Sequence, residues 1–81
     1  MPPKNKEERL NISKNYFDQN FDKSVKEIEK VLKKSIKEKD KEAEAISLIN
    51  LGGLYFEKKK YTIAEKNYIK ALEIIRKEDL K

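Results

Sequence analysis

With 81 residues the chain has room for one small domain, near the size at which a single apolar core only just supports folding. It carries 20 Lys and Arg against 15 Asp and Glu, a net charge of +5, and charged residues make up 43% of it. Neither Cys nor His occurs, which excludes disulfides, thiolate nucleophiles, imidazole acid–base chemistry and the common zinc sites.

Both prolines, Pro2 and Pro3, stand at the N-terminus, so the rest of the chain is free of strong helix breakers and an all-α fold is expected. No apolar run reaches membrane-spanning length and no apolar signal region opens the chain, and a soluble, cytoplasmic protein is expected. Residues 1–4 read as a disordered lead-in, followed by a single domain over 5–81.

Asn5 with Glu8 fits an N-cap and its reciprocal acidic partner. A first helix is expected from there to about Asp18, carrying Leu10, Ile12, Tyr16 and Phe17. Asp18-Gln19-Asn20 reads as a turn. A second helix then follows, with Phe21, Ser24, Val25, Ile28, Val31, Leu32 and Ile36 advancing three or four residues at a time along one face. Lys23, Lys26, Lys30, Lys33, Lys34 and Lys37 fall opposite, diluted by Glu27 and Glu29.

Lys37 to Asp40 is a polar break, and Asp40 is placed to cap a third helix whose first turn holds Glu42 and Glu44, where acidic groups suit the helix dipole. That helix carries two stripes. One is Ala45, Leu48, Leu51, Gly52 and Tyr55; the other is Ile46, Ile49 and Phe56. Lys58-Lys59-Lys60 forms the next turn, Thr62 with Glu65 reads as another capping box, and a fourth helix carries Tyr61, Ala64, Tyr68, Ala71, Leu72 and Ile75 to about Lys77. Short loops between four helices favour antiparallel neighbours.

The chain also resembles itself. Shifted by forty residues, Phe21, Ser24, Ile28, Val31 and Leu32 fall on Tyr61, Ala64, Tyr68, Ala71 and Leu72. Shifted by thirty-nine, Leu10 to Ser13, Tyr16 and Phe17 fall on Ile49 to Gly52, Tyr55 and Phe56. The set Leu48, Leu51, Gly52, Tyr55, Tyr61, Ala64, Tyr68, Ala71 and Leu72 resembles a tetratricopeptide (TPR) motif. Leu48 stands where that family has a tryptophan-type residue and Arg76 where it has a terminal proline. The upstream copy is degenerate, with Ser13 in place of the glycine and Ser24 and Val31 in place of the alanines. The resemblance implies α/α antiparallel helical hairpins, two TPR-like repeats in four helices, hairpin one over 5–39 and hairpin two over 40–78.

The same resemblance implies a protein–protein interaction or scaffold module rather than an enzyme, with no cofactor and no metal. Its concave face would take a peptide through Asn11, Lys14 and Phe17 of the first hairpin and Ile46, Ile49, Asn50 and Phe56 of the second. Leu10 and Gly53 lie on the same faces. Asn11 and Asn50 coincide under the internal alignment, and an Asn amide can both donate to and accept from a ligand backbone. The family's carboxylate clamp is incomplete, since Leu10 replaces its first lysine.

Two other readings stay open. Ile63, Ile69 and Ile74 lie off the main stripe of the last helix and would make a self-association surface for a homodimer or a stacked array. The lysine face of the second helix could meet nucleic acid phosphates, although no aromatic residues interleave with it to stack bases.

Overall fold

The computed structural model describes residues 6–79, with side chains from Asn20 onward. Three α-helices follow one another: α1 over Lys6–Glu38, α2 over Lys41–Glu57 and α3 over Tyr61–Lys77. No strand occurs among the described residues. The all-α expectation therefore holds, but the four-helix, two-hairpin arrangement does not.

The difference lies at Asp18-Gln19-Asn20, which stays helical inside α1. None of the three is Gly or Pro, and their helix propensities cost at most about 0.7 kcal/mol each relative to Ala. A turn would instead give up several backbone hydrogen bonds. The apolar spacing also runs across it, from Phe17 to Phe21, Ser24, Val25 and Ile28, at steps that fit one uninterrupted helix. In place of the expected hairpin over 5–39 stands one helix, Lys6–Glu38. The expected lead-in and the Asn5 cap lie outside the described residues.

The two connections share one geometry. At the end of α1, Lys39 N–H donates to Ile36 O at 3.2 Å and Asp40 N–H to Ser35 O at 2.9 Å. At the end of α2, Lys59 N–H donates to Phe56 O and Lys60 N–H to Tyr55 O, both at 2.9 Å. This is the Schellman pattern, which needs a left-handed residue to turn the chain out of the helix. Lys39 (φ 58°) and Lys59 (φ 63°) take that role without being glycine. The next residue, Asp40 or Lys60, is at once the N-cap of the following helix. Asp40 does this as expected, its Oδ1 accepting from Ala43 N–H at 3.1 Å. The expected Thr62/Glu65 box does not form: Lys60 holds the cap position of α3 and offers no side-chain acceptor.

With such tight links the helices pack antiparallel, and α2 lies between the other two. Among the described residues α1 and α3 do not touch. The 17 residues of α2 cover about half of the 33-residue α1, and Phe21 meets Tyr55 edge to face at 5.3 Å near the open end of that pair. The core is built from Val25 of α1, Ala45, Leu48 and Leu51 of α2, and Ala64 and Ala71 of α3. Gly52 belongs to the same contact. A Cβ built on it would lie 2.6 Å from Tyr68 Cε1, so the tyrosine ring rests on bare backbone.

Two serines are buried with the apolar groups, Ser35 and Ser47. Ser35 Oγ donates back to Val31 O at 2.7 Å, which satisfies the hydroxyl within its own helix. No buried polar side-chain atom lacks a partner among the described residues.

Candidate functional site: the outer face of α2 and the groove beside it

The two stripes of α2 meet different fates. Ala45, Leu48, Leu51 and Gly52 are buried, because α1 and α3 both press on that side. Ile46, Ile49 and Phe56 remain 51%, 41% and 56% exposed. They recur at steps of three and seven residues, with Asn50 and Gly53 between them, so all five share one face of the helix. Asn50 is exposed as well. The structure therefore brings together the second-hairpin half of the expected peptide face. Asn11, Lys14 and Phe17 have side chains outside the described residues.

Phe56 stands at the end of this face, against Tyr61 of α3, with ring centroids 5.3 Å apart and planes at 67°. From there a groove of ≈ 340 Å³ runs along α3, lined by Phe56, Tyr61, Ala64, Glu65, Tyr68, Ile69 and Leu72. Tyr61, Tyr68 and Leu72 are 55%, 39% and 47% exposed. Sequence reasoning placed these three in the core stripe of the last helix and missed them as groove residues. Only the short-side-chain positions Ala64 and Ala71 are fully enclosed. The signal was present: the two alanines mark where α2 sits, and the large residues flank them.

Ile63, Ile69 and Ile74 do not form one strip. At 3.6 residues per turn, Ile63 and Ile74 share a face while Ile69 stands about 120–140° away from them. Ile69 lies in the groove, Ile63 is 41% exposed on the far side, and Ile74 is half-buried.

Lys23, Lys26, Lys30, Lys33, Lys34 and Lys37 of α1 are all exposed. Lys34 reaches Glu38 at 3.9 Å, a solvated pair of the kind worth a few tenths of a kcal/mol. A second hollow of ≈ 360 Å³ opens between α1 and α2 at Asn20, Phe21, Ser24, Leu54, Glu57 and Lys58. There the Lys58 ammonium sits 5.3 Å from the Phe21 ring centroid. Among the described residues no acidic cluster is placed to hold a metal ion, and no helix is long and apolar enough to cross a membrane.

The site offers the exposed Asn50 carboxamide, aliphatic and aromatic side chains, and a shallow channel that also holds the Glu65 carboxylate. Comparison with protein-family models, with curated proteins and with solved structures gives no match to this chain.

Proposed function

We propose that this chain is a protein–protein interaction module whose α2–α3 hairpin is TPR-like, and that it takes a peptide segment of a partner on the outer face of α2. The observation that carries this is the exposure of Ile46, Ile49 and Phe56 on the helix that both α1 and α3 pack against. An apolar row on a central, rigid helix is a ready platform for a peptide, because neither the helix nor its neighbours must reorganise to receive it. Asn50, in the middle of the row, holds the peptide backbone through its carboxamide.

The packing of the hairpin supports the TPR-like reading. Small residues stand where that motif needs them: Gly52 beneath Tyr68, and Ala64 and Ala71 enclosed at the helix contact. The C-terminal half of α1 then takes the place of the helix that would precede the hairpin in a repeat array.

The test is a pull-down from nuclease-treated lysate with the wild type, Asn50→Ala and Ile49→Asp side by side, their folding checked by circular dichroism. The reading expects partners that the wild type retains and both folded variants lose. Retention of the same partners by both variants would move the binding surface away from α2.

A further inference from the structure

The outward side of α3 carries a short sequence that is complementary to itself. Glu65, Ile69, Leu72 and Arg76 follow one another at steps of four, three and four residues, so they form one stripe along the helix. All four are exposed, Ile69 at 46% and Leu72 at 47%. The stripe stands about 120° round the helix from the buried Ala64 and Ala71, so the fold leaves it open. Neither Glu65 nor Arg76 has an ion-pair partner among the described residues.

The order acid, apolar, apolar, base has a consequence when the helix meets a copy of itself running the other way. A two-fold axis midway between Ile69 and Leu72 sets Ile69 against the partner copy's Leu72, and Leu72 against its Ile69. The same axis sets Glu65 against the copy's Arg76 and Arg76 against its Glu65. Every contact occurs twice, as an isologous interface requires, and each charge meets its opposite. A parallel copy would instead oppose Glu65 to Glu65 and Arg76 to Arg76. The knob spacing is that of an antiparallel two-helix seam, and the groove lined by Phe56, Tyr61 and Tyr68 flanks it with further apolar surface.

We infer that this chain forms an antiparallel homodimer through α3, with Ile69 and Leu72 as its apolar centre and reciprocal Glu65–Arg76 pairs at its ends. Its seam is on α3, and its test needs no ligand, so it stands or falls apart from the peptide reading of α2.

The experiment is sedimentation equilibrium on the whole chain from about 10 μM to about 1 mM, a range that brackets a modest two-helix contact. The wild-type mass should climb from 9.6 kDa toward twice that value. Glu65→Arg alone and Arg76→Glu alone each create two like-charge pairs and should weaken the dimer at least about tenfold. Mixing those two variants in equal amounts should restore it, because every acid then faces a base again; the same restoration shows that both variants are folded. The double reversal in one chain should dimerise like the wild type. A wild type that stays at monomer mass throughout, or single reversals that dimerise as tightly as the wild type, would overturn the inference.

Discussion

Tyr68 lies directly over Gly52: a Cβ at position 52 would be 2.6 Å from Cε1 and 2.8 Å from Cδ1 of its ring. The glycine sits in mid-helix without a positive φ, so it is there for space. Two effects compete in Gly52→Ala. Helix propensity favours Ala by about 1 kcal/mol, while displacing the ring from its seat costs about 1–3 kcal/mol. Net destabilisation of up to about 2 kcal/mol is expected in urea unfolding. In a Tyr68→Ala background the obstruction is gone, and the same substitution should stabilise by about 1 kcal/mol. The reversal of sign is the diagnostic.

The twin connections differ in one useful respect. Asp40 caps α2 with its carboxylate, whereas Lys60, at the equivalent place before α3, caps nothing. Asp40→Ala should cost about 1 kcal/mol. Lys60→Asp should gain about as much, since it supplies an acceptor and a favourable charge at the positive end of α3. Thermal melts of the two variants should move in opposite directions.

Lys59 pays for its left-handed backbone with a Cβ that glycine lacks. Lys59→Gly should stabilise the chain by roughly 1 kcal/mol through relief of that strain. Lys39→Gly should behave alike. A loss of stability on chemical denaturation in both variants would mean that these residues do not turn the chain as described.

Continuity of α1 through residues 18–20 can be tested directly. Proline at position 20 removes a helical hydrogen bond and collides with the preceding turn, at about 3 kcal/mol or more in a helix interior. Asn20→Pro should therefore lower both the helical circular dichroism signal and the melting temperature. A turn at that point would accept the substitution with little change.

Much of the fold was legible in the residues. Asp40 announces its cap through a carboxylate three residues ahead of a free N–H. Ala64 and Ala71 announce the helix contact through their size and seven-residue spacing, and both are enclosed. Two features misled. Three polar residues in a row at Asp18-Gln19-Asn20 look like a turn, yet polarity only describes a solvated surface, which a long helix also has. Tyr61, Tyr68 and Leu72 look like core, yet large side chains beside a small-residue contact are displaced to its margin. For the candidate site, Ile46, Ile49, Asn50 and Phe56 were readable as one face from their spacing alone, and as an open one only through the resemblance to a TPR.

By itself, then, the sequence determined what depends on neighbours within one or two turns: helix type, the positions of the breaks at Lys39 and Lys59, the Asp40 cap and the periodic faces. Those follow from backbone sterics, hydrogen bonding and side-chain spacing, all local quantities. Tertiary structure alone decided which stripe of α2 would be covered and which left open, and that α1 would run unbroken past residue 20. Two apolar stripes on one helix are equivalent until other helices arrive. With α1 and α3 both packed onto the side of Leu48, Leu51 and Gly52, Ile46 and Ile49 were left open and Phe56 met only the Tyr61 edge of α3.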